Sequence, residues 1–407
     1  MKEQIPVDIS NFKRKYRERN EGEFPNYLKL ELLKESDLKY GENPNQHGAV
    51  YCLSNVNDRP VDLLHKIPVT SIRSDSEGKG GLSLTNLMDI RRAMDTLKFF
   101  DSPAVAIMKH NVVSGFAKQI DLDQSLEGLF RLARDADLRS NFGGTAVFNR
   151  PLNVETAHAM YELKGSNPFF VDVVAAPEYD DGTLSVLEKE SKNLRIAKFS
   201  GLNLLPKFMG DLTGNLSSFK DMSGGSMGVQ DLYLTSIRGV DDLIFYPYVV
   251  DKNGKEHLIE WAPHGQEIDD LLTAWYLNIA GLRSNGVNVV KDGVSIAIGS
   301  GQVERVGAIE QMIIKGMQKA MDREGITYDP LKGIEGYEKL SVNPFKGAAC
   351  SSDAFFPFPD SIEMLARVRI TAVVQPYGSV RDDLVIDAAN KYKIAMPATL
   401  ERCFGHF

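Results

Sequence analysis

An adjacent lysine and histidine close the apolar run Ala104–Met108 in the stretch PAVAIMKHNVVSG, residues 103–115. At the mouth of a strand, both side chains can reach a cleft. A histidine there suits a general base near neutral pH. Lys109 beside it can offset charge developing on an oxygen. The same dipeptide also suits a solvated surface loop with a hydrogen-bonded His110.

A second stretch, GSGQVERVG at 299–307, places two glycines between an apolar run and a helical period. Glycines let backbone approach a ligand, and the helix N-terminus favours an anion. Arg305 falls in the first helical turn, where a cation opposes the helix dipole. That placement makes sense if it faces a phosphate or carboxylate, although a tight turn accounts for the glycines equally well. The spacing is not a dinucleotide fingerprint, because the third glycine is out of register.

SSDAFFPFPD at 351–360 packs three phenylalanines and two acids around two prolines. Such a rigid aromatic loop can sandwich a flat heterocycle or lie buried between domains. Gly143 and Gly144, the Lys39–Tyr40 pair, and Ser284–Asn285 each sit in a polar turn. Turns alone explain clusters of this kind. The ending LERCFGHF, with Arg402 and His406, reads as either disordered or docked. Several motifs are absent: H-x-E with P-C-x-x-C, H-E-x-x-H, the phosphate-binding G-x-x-x-x-G-K-[ST], and the G-x-S-x-G elbow. Zinc deaminase chemistry has no support.

The elements that must hold these residues follow a repeated pattern of apolar run, polar turn and helical period. It is read in AVAIMKHNVVSGFA, in SIAIGSGQVERVGAIEQMIIKGMQKAM and in ITAVVQPYGSVRDDLVIDAANKY. Val306, Ile309, Ile313 and Met317 share one helical face in the second. In the third, Ser379 reads as an N-cap with Asp382 at the capping-box position, and Val380, Leu384 and Ala388 continue the face. FFVDVVAAPEY at 169–179 adds another strand. Alternating strands and helices give an α/β class, with ligands at the carboxyl ends of strands. The Gly- and Ser-rich segment 207–225 is the best boundary between two halves. Residues 1–37 read as a charged arm with a short helix around Asn11–Arg19.

The chain has 407 residues and a net charge of −8. The length implies two domains, and the charge argues against nonspecific nucleic-acid binding. Three separated cysteines suggest reduced thiols. No secretory leader or membrane span is legible, so a cytoplasmic setting is expected.

Taken together, LKYGENPNQ, KHNVVSG, NFGGTAVFNR, RSNGVNVV, GSGQVERV, SDAFFPF, QPYGSVRD and ATLERCFGHF occur in a single order. In that order the chain, from about residue 38 to 407, resembles the formyltransferase part of the bifunctional AICAR transformylase/IMP cyclohydrolase family. The resemblance implies two tandem cytidine-deaminase-like α/β domains without the deaminase zinc, at 38–210 and 211–407. It implies transfer of the formyl group of 10-formyltetrahydrofolate to the 5-amino group of AICAR ribonucleotide, giving FAICAR and tetrahydrofolate. It also implies an intertwined homodimer with active sites at the subunit interface. His110 then matches the histidine that assists amine deprotonation, and Lys109 the lysine at the formyl oxygen or leaving group. Asn285 matches an asparagine near the formyl oxygen. Lys39 and Tyr40 fall where the family has an Arg-Tyr pair on the nucleotide. Arg305 and Arg402 match basic residues around the ribonucleotide, Asp172 an aspartate beside the ribose, and Gly143 a backbone contact. Phe355 matches the phenylalanine next to the AICAR ring, and Asp360 an aspartate on the folate side. Asp353 lies in a segment that holds a monovalent cation, such as potassium, in some members.

Three departures stand out. Only about 37 residues precede the first motif, so closure of FAICAR to IMP is not expected of this chain. Lys39 replaces an arginine and loses bidentate geometry. Val112–Val113 replaces an Asn-Pro pair, so a different loop is expected, and Phe407 follows the usual terminal histidine. Two rival readings follow: a paralogue formylating a related aminoimidazole nucleotide, and a non-catalytic nucleotide-binding regulator.

Overall fold

Strands that are apolar at every position need cover on both faces, and Ala104–Lys109 shows how that is met. Ala104, Ala106 and Met108 enter a core shared with helices Leu84–Leu97 and Gln266–Gly281. Val105 and Ile107 point the other way, into a core shared with helix Leu126–Ala136. The computed structural model describes residues 5–17, 22, 24–61, 68–72, 81–164, 167–329, 331 and 337–406.

The strand belongs to a ten-stranded mixed sheet, which makes the protein an α/β fold. The sheet is built twice from one plan. In the first half, helix Leu84–Leu97 precedes the hairpin Ala104–Lys109/Val112–Lys118, and helix Leu126–Ala136 follows it. Strand Thr145–Phe148 then adds antiparallel to the hairpin, and Val173–Ala176 adds parallel to that. In the second half, helix Gln266–Gly281 precedes the hairpin Val287–Lys291/Val294–Gly299, and helix Arg305–Arg323 follows. Ala349–Ser352 then adds antiparallel and Ala372–Val374 parallel. The two hairpins join back to back where Val294 pairs with Ala117. Segment 207–225 runs between the halves and contains the first strand and the turn of a small separate hairpin, Ser218–Met222 with Ser226–Gln230.

Three readings of the sequence need correction. The residues after His110 form a strand, not a helix, so the first stretch is a β-hairpin. Val112 and Val113 accordingly lie at the start of that strand rather than in a loop. Ser379 does not cap its helix: Asp382–Lys391 starts three residues later. Tyr377 and Gly378 take left-handed backbone (φ 65° and 109°) and hold the chain out of the helix. The Asp382 carboxylate then accepts the Gly378 N–H at 2.8 Å, and the Ser379 hydroxyl accepts the Arg381 N–H. The face differs too, since Val380 and Leu384 are exposed while Val385, Ile386, Ala388 and Ala389 are buried. The N-terminal segment is engaged, with Val7–Asp8 paired to Pro247–Val250 and Ile9 and Phe12 in the core. A 3₁₀ helix covers Phe12–Arg17, and residues 18–19 of the expected helix lie outside the described residues.

Asp382 gives a pH prediction. Burial pushes its carboxyl up from about 3.8 to about 7, and its Oδ1 has no hydrogen-bond partner. The folded state therefore prefers the protonated form, and stability falls as pH rises between those values. Asp382→Asn is expected to raise the thermal midpoint at about pH 8, with a smaller gain at about pH 5. Equal gains at both pH values would contradict this.

Gly299 ends its strand against helix Arg305–Arg323. A Cβ there would lie 1.9 Å from the Ala308 carbonyl oxygen. Gly299→Ala is expected to lower stability by about 1–3 kcal/mol, as overpacking does, read from the urea midpoint. An unchanged midpoint would mean the helix is not seated on this strand.

Candidate active site

The Lys109–His110 pair sits at a hairpin turn of two residues. His110 and Asn111 both take positive φ, 56° and 63°. That is the pattern of a type I′ turn, whose twist matches its strands. Histidine and asparagine tolerate this backbone better than most residues. The register shifts one residue beyond Ile107, and the Ser114 hydroxyl donates to the Ile107 carbonyl at 3.1 Å. A bulge next to a turn re-aims the strand end. His110 is exposed and Lys109 half-buried.

Lys109 Nζ donates to the Phe142 carbonyl at 2.7 Å. The next residue, Gly143, has φ 69° and donates its N–H to the Phe170 carbonyl. The Gly144 carbonyl accepts the Asp172 N–H, and the Asp172 carboxylate pairs with Arg195 at 2.7 Å. Lys109, Gly143 and Asp172 thus meet at adjoining strand ends. Tyr40 is tied to the same region, because its carbonyl accepts the Leu84 N–H at the start of helix Leu84–Leu97. Lys39 beside it is exposed.

Asn285 lies in the opposite half on a loop zipped to the GSGQ turn. Its backbone N–H and side-chain amide both donate to the Gln302 carbonyl, at 3.1 and 2.9 Å. The Gly301 N–H donates to the Arg283 carbonyl. Behind this loop Arg305 is buried and paired with Asp353. The guanidinium faces a carboxylate as its sequence position implied, but an internal one. The other Asp353 oxygen accepts the Ser284 hydroxyl at 2.6 Å. Both Asp353 oxygens are thus engaged, one by the Arg305 guanidinium and one by the Ser284 hydroxyl.

The C-terminal segment docks here. The Asp353 carbonyl accepts the Cys403 N–H, and Ser284 and Gly405 exchange hydrogen bonds. Arg402 lies exposed over the Phe404 ring, 4.6 Å from its centroid. Phe355 and Asp360 are not gathered with this set. Neither lines the two clefts described next, and Asp360 opens helix Asp360–Arg367 at the surface.

Two clefts flank the turn. One, of about 870 Å³, is lined by Asn111, Arg91, Arg92, Lys220, Arg283 and His406, with Asp95 and Asp221 among the other residues. The other, of about 560 Å³, is lined by Lys109, His110, Arg283, Lys315, Lys319 and Asp137. Burial holds Arg92 below its ordinary value, and burial with the Arg92 charge does the same to Lys220. Cations crowded in this way favour an anionic ligand. In the second cleft Lys319 lies 3.0 Å from Asp137 and holds that carboxyl below its usual range, although burial pushes it up. Arg91, Arg92, Lys220, Arg283, Lys315 and Lys319 were not singled out from sequence. Only the four-residue spacing of Lys315 and Lys319 on one helix gave a signal, and it reads equally as a solvated face.

Fold and site define an α/β protein with a lysine–histidine turn between two cation-lined clefts. The profile of the AICARFT/IMPCHase bienzyme family matches residues 7–315. The chain belongs to that family. The bifunctional purine biosynthesis protein PurH of Persephonella marina is 31% identical over 385 residues, covering 94% of this chain and 62% of that protein. PurH of Caldicellulosiruptor saccharolyticus is 31% identical over 388 residues, covering 95% and 62%. PurH of Aquifex aeolicus is 33% identical over 378 residues, covering 93% and 60%. The chain therefore spans about three fifths of the length of these relatives. Among the described residues, no helix is long and apolar enough to cross a membrane.

Proposed function

We propose that this chain transfers the formyl group of 10-formyltetrahydrofolate to the 5-amino group of AICAR ribonucleotide. The observation that carries the reading is the Lys109–His110 turn, fixed between two cation-lined clefts that can take a nucleotide phosphate and a folate carboxylate. The amine nitrogen attacks the formyl carbon, and His110 takes the amine proton. Lys109 offsets the charge on the formyl oxygen. The tetrahedral intermediate then collapses: the bond from carbon to folate N10 breaks, and N10 leaves with a proton from Lys109 or His110. Asn285 is assigned to the formyl oxygen. Lys39, Tyr40, Gly143, Asp172 and Arg402 are assigned to the nucleotide, and Phe355 and Asp360 to the ring and folate sides. Arg305 acts through the Asp353 pair that holds the Asn285 loop.

The proposed reaction ends at FAICAR. The working form is proposed to be a cytoplasmic homodimer. The exposed Leu32, Leu33 and Tyr51 on the paired strands Leu30–Asp37 and Ala49–Val56 support a second copy. The test is absorbance detection of tetrahydrofolate in a mixture of enzyme, AICAR ribonucleotide and 10-formyltetrahydrofolate. Release that needs both substrates is expected. No release while both substrates bind would overturn the assignment and favour the regulator.

A further inference from the structure

Two consecutive non-glycine residues with positive φ are uncommon and persist where their surroundings hold them. Something must therefore fix His110 and Asn111. The hairpin ladder ends at the pair Lys109–Val112, so the turn itself needs another anchor. Helix Leu84–Leu97 supplies it. This helix starts rigidly, because Ser83 and Asn86 form a reciprocal capping box. One turn later Asp89 faces the hairpin. Its Oδ1 accepts the Asn111 N–H at 2.7 Å, and its Oδ2 accepts the Thr145 hydroxyl at 3.2 Å. Arg92, from the same helix, reaches the Asn111 side chain at 3.4 Å.

We infer that Asp89 is a positioning residue for the reaction. One carboxylate clamps the His110–Asn111 turn to the start of strand Thr145–Phe148, and through that strand to Gly143–Gly144. The inference rests on the formyl-transfer reading for its kinetic consequence, but the clamp is a separate claim about the backbone. The carboxylate spans two groups that the reaction needs in register. On one side is the turn carrying His110 and Lys109. On the other is the Gly143 backbone, preceded by the Phe142 carbonyl that already holds Lys109 Nζ. Its burial pushes the Asp89 carboxyl up, while the hydrogen bonds from Asn111 and Thr145 and the nearby His110 oppose that. A carboxylate at that depth is costly unless its oxygens are used, and both are.

The experiment compares Asp89→Ala with Asp89→Asn. Asparagine can still accept from Asn111 through its carbonyl and can donate to the Thr145 oxygen. Misplacement of a reacting group by about 1 Å costs on the order of a hundredfold. Asp89→Ala is therefore expected to lower kcat by about that factor, with both KM values changed less than about threefold. Asp89→Asn is expected to restore most of kcat. Site-resolved hydrogen exchange of the Asn111 amide gives a readout independent of turnover. The amide is expected to be protected in wild type and Asp89→Asn and to exchange faster in Asp89→Ala. Wild-type kcat in Asp89→Ala, equal impairment in both variants, or a loss confined to KM would overturn the inference. If Asp89→Ala fails to fold, the wild-type amide decides: exchange as fast as an open turn would overturn the clamp. If wild type transfers no formyl group, the reaction assignment fails, and exchange alone judges the clamp.

Discussion

His110→Asn should abolish most formyl transfer while leaving the protein folded. Asparagine suits the left-handed backbone at this position (φ 56° for His110), so the turn survives the change. What is lost is the proton acceptor. The attacking amine of AICAR is conjugated to an imidazole ring that carries a carboxamide, and is a poor nucleophile until its proton leaves. General-base assistance is worth about 10²–10⁴-fold, or about 2.7–5.4 kcal/mol of barrier. The fall should appear in kcat, with both KM values near wild type, because the role proposed for His110 is on the reacting proton and not on the ligands' charges. Rapid-mixing measurement of tetrahydrofolate release gives both parameters. Equal rates in wild type and variant would keep the reaction and remove His110 from it. A rise in KM alone would make it a binding residue.

The second large effect is on stability. Asp353→Ala is expected to cost about 3–5 kcal/mol, the range for removing one partner of a buried ion pair. Arg305 is buried and would keep its charge with no carboxylate opposite. The same change releases the Ser284 hydroxyl, which also accepts the Gly405 N–H. The Asn285 loop, the GSGQ turn and the C-terminal segment would loosen together, so formyl transfer should fall along with the urea midpoint. Replacing both charges, as in Arg305→Met with Asp353→Leu, should recover much of the stability but not the loop order. A loss below about 1 kcal/mol for Asp353→Ala would place the pair in water, where such contacts are weak.

The sequence disclosed the class of the fold because its strands carry unbroken apolar runs and its helices clear faces. Helix Arg305–Arg323 buries Ile309, Ile313 and Met317 as their spacing implied. It did not disclose the hairpin after His110. His-Asn is a weaker turn signal than Asn-Gly, and Val112–Val113 followed by Gly115 and Phe116 mimics the start of a helical period. The late start at Asp382 was hidden for a related reason, since a left-handed Tyr377 has no composition signal. Lys109 and His110 were legible because a charged pair ending an apolar strand is chemically out of place. Asp89 and Arg92 were not, because they become partners of the turn only when their helix packs on the hairpin, and Arg283 reaches the clefts only when the second half of the sheet joins the first. Arg305 was legible as an arginine seeking an anion. That the anion is Asp353 depends on a contact 48 residues away in the chain.

The most direct test of the central claim is the identity of the product. Purified protein is mixed with AICAR ribonucleotide and 10-formyltetrahydrofolate, and the nucleotide is followed by mass spectrometry. The account predicts a nucleotide heavier by one formyl group in place of one hydrogen, accumulating as FAICAR in step with tetrahydrofolate. Recovery of unchanged AICAR ribonucleotide, with both substrates shown to bind, would contradict the assignment. Conversion onward to IMP would contradict the claim that these residues stop at formyl transfer.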